Sequence, residues 1–86
     1  MTSDEAMTTV RKMLEEQLGV NPTFASTALV AEDLGATSLD LASLQLAFEE
    51  RFGMKFSDGS TRGPIDREWD ACKTVDDFVA LVMRHA

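Results

Sequence analysis

Cysteine occurs once in this 86-residue chain, at Cys72. A single thiol excludes an internal disulfide and any cysteine-rich zinc site. Nothing near it would depress its pKa, so Cys72 reads as a small buried apolar residue. Histidine also occurs once, at His85, solitary and near the chain end, and reads as a solvated surface residue. One His, one Cys and no metal-ligand spacing leave no acid–base or nucleophile–base pair. No glycine-rich phosphate loop precedes a helix in the required pattern. An EF-hand register begun at Asp58 puts Arg62 at a ligand position and Trp69 where the closing Glu belongs, which excludes calcium there. The sequence therefore argues against an enzyme and offers no catalytic residue and no metal site. Apolar runs are short of membrane-spanning length, and Met1-Thr2-Ser3-Asp4-Glu5 lacks the basic and apolar regions of a signal peptide. A cytoplasmic protein is expected.

Basic residues are also scarce, 8 against 15 acidic, for a formal charge of −7. That excess disfavours nucleic acid and anionic membranes, both of which need positive charge from the protein. Two readings remain: the acidity attracts partners with basic docking surfaces, or it keeps a small protein in solution. Two prolines and 44% hydrophobic residues suit a globular helical domain. A chain of this size buries about 60–65% of its unfolded surface, enough for one domain over residues 1–86 and not for a large cleft. Met1 and the short length are those of a freestanding protein, with an excised synthase domain as the alternative.

Periodicity gives four helices. Over residues 3–18, Met7, Val10, Leu14 and Leu18 recur at helical spacing, flanked by Met13, with Thr2 and Glu5 at capping-box spacing and Gly19 as the stop. Residues 20–36 form a long connection broken by Asn21-Pro22 and anchored by Phe24, Leu29, Val30 and Leu34, with a short turn of helix expected over 28–31. Over 38–52, Leu41, Leu44, Phe48 and Phe52 form the inward stripe, bordered by Ala42, and Gly53 ends the helix. Met54 and Phe56 are apolar anchors before a polar, glycine-rich loop at 57–64. A short third helix spans 66–72, with Ile65, Trp69 and Cys72 inward and Trp69 acting as a core plug or as a wall for an attached group. The last helix spans 75–85, capped by Thr74 and Asp77, with Val75, Phe78, Val79, Val82 and Met83 on its apolar side and Arg84 and His85 suiting its negative end. The fold class expected is an all-α four-helix bundle with a long first loop and a short third helix.

The most informative stretch is Leu34-Gly35-Ala36-Thr37-Ser38-Leu39-Asp40. Gly35 permits a turn that other residues resist, Thr37 can cap the second helix, and Asp40 can complete the box. Ser38 then becomes the first helical residue, its hydroxyl beside unpaired N–H groups at the positive end of the helix dipole, where a phosphate is favoured. Asp40 adds negative charge nearby, so the dipole permits that chemistry without demanding it. Leu39 and Leu46 lie on the far side of this helix from the core stripe, among Ser43, Glu49 and Glu50. They form a docking surface or are covered by neighbouring loops.

Gly35-Ala36-Thr37-Ser38-Leu39-Asp40, followed by a helix closing on Phe48-Glu49-Glu50-Arg51-Phe52-Gly53, resembles the acyl carrier protein family, most closely over residues 29–56. Thr74-Val75 at the start of the last helix is a further likeness. The resemblance implies that Ser38 carries 4'-phosphopantetheine taken from coenzyme A, whose thiol holds acyl groups as thioesters. It implies a magnesium-dependent phosphopantetheinyl transferase as partner, together with acyl-loading and acyl-processing enzymes. Their basic patches would meet Thr37, Leu39, Asp40, Leu46, Glu49 and Glu50 on a monomeric carrier. Thr37 departs from the family, which usually has Asp before the serine, and Ser43 stands where Glu is frequent. With the enlarged 57–64 loop, these departures point to a specialised pathway instead of housekeeping fatty acid synthesis. The cargo (fatty acyl, polyketide, aminoacyl or peptidyl) stays open. The alternative reading is an unmodified acidic interaction module docking through the 38–52 helix, with Ser38 serving only the helix start.

Overall fold

The structure, a computed structural model, describes residues 2–58, 61–62 and 64–85, and only the backbone of residues 57, 58, 61, 62 and 64. Its helices are α1 (Ser3–Leu18), α2 (Ser38–Phe52), α3 (Pro64–Ala71) and α4 (Val75–His85). α1 packs against both α2 and α4, and α3 leans on α4. The all-α bundle with a long first connection and a short third helix is thus the observed fold.

Local chemistry sets most helix ends. Thr2 Oγ1 accepts the N–H of Glu5 at 3.2 Å and starts α1. Thr74 Oγ1 accepts the N–H of Asp77 at 3.1 Å, while the Asp77 carboxylate accepts the N–H groups of Thr74 and Lys73, both at 2.9 Å. Those backbone N–H groups, Thr74 first and then Lys73, hold the Asp77 carboxyl below the ordinary aspartate pKa. At the end of α2, Gly53 turns left-handed at φ +68°, and its N–H reaches the carbonyl of Glu49 at 3.0 Å. No atom crowds the space a Cβ would take there, so the backbone angle alone selects glycine.

α3 starts earlier than its periodicity indicated, at Pro64 instead of Asp66, and ends at Ala71, leaving Cys72 just outside. Proline at a first helical position loses nothing, because its missing N–H would have had no partner in the helix. Part of the 57–64 loop is ordered as a two-stranded antiparallel ladder, β1 (Ser57–Asp58) with β2 (Thr61–Arg62), Ser57 opposite Arg62 and Asp58 opposite Thr61. The remainder of that loop, Gly59, Ser60 and Gly63, lies outside the described residues.

The core draws Ala6, Val10 and Leu14 from α1, Leu44 and Phe48 from α2, Trp69 from α3, and Val75, Phe78, Val79, Leu81 and Val82 from α4. Val30, Met54 and Phe56 close it from the connections. Leu41, Phe52 and Ile65 are half-buried at its edge, whereas Ala42 is exposed. The apolar side of α4 needs one correction: Met83 is exposed and Leu81 is fully buried. The buried arc runs through 75, 78 and 82 and extends toward 81, which leaves Met83 at the opposite margin in the last turn.

An edge-to-face aromatic cluster occupies the centre. Trp69 lies 4.7 Å from Phe78 and 5.2 Å from both Phe48 and Phe56, ring centre to ring centre. Phe48 also meets Phe52 at 5.3 Å and Phe78 at 6.2 Å. Such pairs contribute about 0.5–1.5 kcal/mol each beyond the area they bury.

The long first connection is pinned at both ends. Arg11 Nη1 donates to the carbonyls of Pro22 and Phe24, and its guanidinium sits 4.9 Å over the Phe24 ring. Further on, Leu29 bridges Thr74, the N–H of Val30 donates to the Lys73 carbonyl at 2.9 Å, and the N–H of Val75 donates to the Ala28 carbonyl at 3.1 Å. These bonds hold Ala28 and Leu29 extended, so the helical turn expected over 28–31 does not form. A turn follows instead at Leu29–Asp33. There the N–H of Asp33 donates to the Leu29 carbonyl at 2.7 Å, and the Asp33 carboxylate accepts the N–H of Leu29 at 2.8 Å.

Glu68 on α3 accepts Arg84 Nε at 3.2 Å and also meets His85 Nε2, so His85 is exposed but not solitary. No helix among the described residues is long and apolar enough to cross a membrane.

Candidate functional site

Ser38 is presented by a chain of local constraints. Ala36 is buried, and its N–H donates to the Val30 carbonyl at 3.2 Å, tying the approach to α2 to the pinned connection. Gly35 supplies the preceding turn at φ +77° with no atom near its would-be Cβ. Thr37 is extended, at φ −87° and ψ 173°, as a capping residue should be. Its Oγ1 accepts the N–H of Asp40 at 3.2 Å, and the Asp40 carboxylate accepts the N–H of Thr37 at 3.0 Å. This reciprocal box makes Ser38 the first residue of α2 and leaves it exposed.

The electrostatics follow from that box. In a helix the first N–H groups have no carbonyl one turn back. Asp40's N–H is taken by Thr37, so those of Ser38 and Leu39 remain directed out of the helix end. An anion attached at the Ser38 hydroxyl meets these dipoles. The Asp40 carboxylate is turned back onto Thr37 and half-buried, so its charge is partly satisfied within the cap.

Beside Ser38 runs an open groove between α2 and α3, lined also by Leu41, Ala42, Gln45, Asp66, Trp69 and Asp70. Gln45 Nε2 donates to the buried carboxylate of Asp66 at 2.7 Å and ties the two helices across it. Sequence patterns gave no signal for this pair, because residues 45 and 66 meet only through tertiary packing. The groove shares Leu41, Trp69 and Asp70 with a second pocket, bounded by the first connection and α4.

The expected docking residues fall on one side of α2. Leu39 is 80% exposed and Leu46 is 61% exposed, so no loop covers them. With Ser43 and Glu50, both exposed, they recur at steps of three and four along one face. Thr37 is exposed beside Ser38, while Asp40 and Glu49 are half-buried on opposite flanks. Glu50 lines a crevice against α1 together with Lys12, Glu16 and Arg51, so charge there is mixed and not purely acidic.

Cys72, in the lining of the second pocket, is a half-buried thiol whose Sγ donates to the Glu68 carbonyl at 3.3 Å. Burial, and then the nearby Asp77 charge, push its pKa up to about 11. It is not a poised nucleophile. Among the described residues no cluster of His, Cys, Asp and Glu could hold a metal.

Comparison with known proteins agrees with this geometry. The family model described as phosphopantetheine attachment site matches residues 8–60. An acyl carrier protein of Zymomonas mobilis subsp. mobilis is 36% identical over 77 residues, 88% of each chain. An acyl carrier protein of Afipia carboxidovorans is 48% identical over 50 residues, which is 57% of this chain and 63% of that one. A carrier that holds its cargo on covalently attached 4'-phosphopantetheine, and does not itself catalyse, accounts for these three matches, and the chain belongs to the acyl carrier protein family.

Proposed function

We propose that Ser38 is the residue that bears the 4'-phosphopantetheine and that the face of α2 below it receives the enzymes that load and use it. The observation that carries this reading is an exposed hydroxyl at the first position of a fully capped helix, inside the matched region. In the modification, Ser38 Oγ attacks the phosphorus of coenzyme A that bears the pantetheine arm. Its O–P bond forms, the bond to the nucleotide portion breaks, and the hydroxyl proton leaves to a base of the transferase. The carrier's part is to hold that oxygen at a stable helix end beside N–H dipoles that favour the bound phosphate.

Leu39 and Leu46 supply the apolar centre of the docking face, and Asp40, Glu49 and Glu50 supply its acidic border, with Thr37 next to the attachment point. Basic patches on a phosphopantetheinyl transferase and on acyl-loading and acyl-processing enzymes complement that border. Small, electrostatically steered interfaces form quickly and release quickly, as a shuttle requires. A monomeric, cytoplasmic, single-domain carrier is the form this reading takes.

Incubation with coenzyme A, magnesium and a broad-specificity phosphopantetheinyl transferase tests it by intact mass. One phosphopantetheine is expected on the wild type and none on Ser38→Ala. An unchanged wild-type mass supports the unmodified interaction module, and a modified Ser38→Ala protein removes Ser38 from the role.

A further inference from the structure

We infer that the crevice between α1 and α2 is a second docking subsite, in which Lys12 and Arg51 receive a carboxylate that the carrier's own phosphopantetheinyl transferase sets beside its basic patch. The inference rests on the reading of Leu39 and Leu46 as the docking face and adds what the partner must present next to it.

Three observations carry it. The crevice is a concavity of about 360 Å³, with half-buried Met13 and Ala47 in its floor and exposed Lys12, Glu16, Glu50 and Arg51 on its rim. Those four rim charges are unsatisfied: among the described residues, none of their side chains makes an ion pair or a hydrogen bond. Arg11 and Arg84, by contrast, are taken up by the Pro22 and Phe24 carbonyls and by Glu68. The crevice also adjoins the docking face, because Glu50 belongs to both and Leu46 lies one turn before it on α2.

Size decides whether a docked enzyme reaches these charges. Leu39 and Glu50 are about 16 Å apart along α2. A transient interface covers roughly 600 Å² on each partner, a patch about 25 Å across. An enzyme seated on Leu39 and Leu46, with its active site at Ser38, therefore covers the mouth of the crevice as well. A wholly basic surface would bring its cations against Lys12 and Arg51, and like charges brought together across an interface repel. A carboxylate facing Lys12 and Arg51, next to cations facing Glu16 and Glu50, satisfies all four rim charges. The crevice thus turns away a surface that would suit any acidic carrier and admits one of alternating charge.

The test measures modification of the full chain by the phosphopantetheinyl transferase of its own organism, followed by intact mass at several carrier concentrations. Replacing Lys12 and Arg51 together by Glu makes the carrier more acidic. A partner that reads it through a basic patch alone would then bind better, and KM would fall. With a carboxylate at the crevice, KM should instead rise about tenfold, the effect of two rim ion pairs lost and reversed. The neutral double variant, Lys12→Gln with Arg51→Gln, should give a smaller rise, and both effects should shrink in high salt. Both residues are exposed and unpaired, so circular dichroism should show the wild-type fold in each variant. A KM that falls or holds in the Glu variant, while Leu39→Ala with Leu46→Ala still raises it, overturns the crevice and leaves the docking face standing. A KM unmoved by either pair of substitutions removes the whole α2 face, and this inference with it.

Discussion

Thr37 and Asp40 hold each other at the head of α2, hydroxyl to N–H at 3.2 Å in one direction and carboxylate to N–H at 3.0 Å in the other. The same arrangement recurs at Thr74 and Asp77 at the head of α4. The first box fixes where Ser38 sits, and the second fixes the helix to which the long connection is pinned. Thr37→Ala should cost about 1 kcal/mol in urea unfolding, while Thr37→Asp, which keeps a capping oxygen, should cost well under half of that. Equal losses in the two variants would show that the cap does not hold this helix end.

Phe48 is fully buried and meets three other aromatic rings. Phe48→Ala should destabilise the protein by about 3–5 kcal/mol. A loss below about 1 kcal/mol in chemical denaturation would mean the bundle is not organised around this cluster.

Leu39 and Leu46 stand in solvent, so Leu39→Ala and Leu46→Ala should change stability by no more than about 0.5 kcal/mol. Both should nonetheless lower kcat/KM for the transferase severalfold, chiefly through KM, because they remove apolar contact with the partner. Unaltered modification kinetics in the double variant would remove this face from the docking role.

Asp77 sets an acid limit. Its folded pKa lies below its unfolded one, so its stabilisation is present above the ordinary aspartate value of about 3.9 and is lost as pH falls through the folded pKa. The stability gap between wild type and Asp77→Asn should be constant from about pH 7 to pH 5 and should close below about pH 4. A gap that does not vary with pH would contradict the bonds to Thr74 and Lys73.

Cys72 should label slowly. With its pKa moved from 9.0 to about 11, its thiolate is about a hundredfold scarcer at pH 8 than that of an ordinary thiol. Iodoacetamide should therefore alkylate the unmodified native protein about a hundredfold more slowly than the urea-unfolded one. Equal rates would place the thiol in solvent.

Much of this architecture is written in short-range chemistry. Thr37, Asp40 and Gly53 bound α2, and Thr74 with Asp77 start α4, because caps act across three or four residues and leave their mark in the sequence. That Leu39 and Leu46 lie off the core stripe was legible for a similar reason, since a stripe needs only one face, but that no loop covers them follows only from the packing. The Pro64 start of α3 was obscured because proline reads first as a helix breaker. The choice of Leu81 over Met83 depends on where the neighbouring elements lie, which periodicity within α4 does not encode. The Gln45–Asp66 bond and the pocket that Trp69 helps to line join residues far apart in sequence, and only packing reveals them.

The most direct measurement is fragmentation mass spectrometry of the peptide spanning Leu34 to Arg51 after modification. Three hydroxyls compete within it, at Thr37, Ser38 and Ser43. Thr37's is engaged in the cap, and Ser43 lies a full turn inside the helix. The phosphopantetheine is predicted on Ser38 alone. Finding it on Thr37 or Ser43 would contradict the assignment of the attachment point.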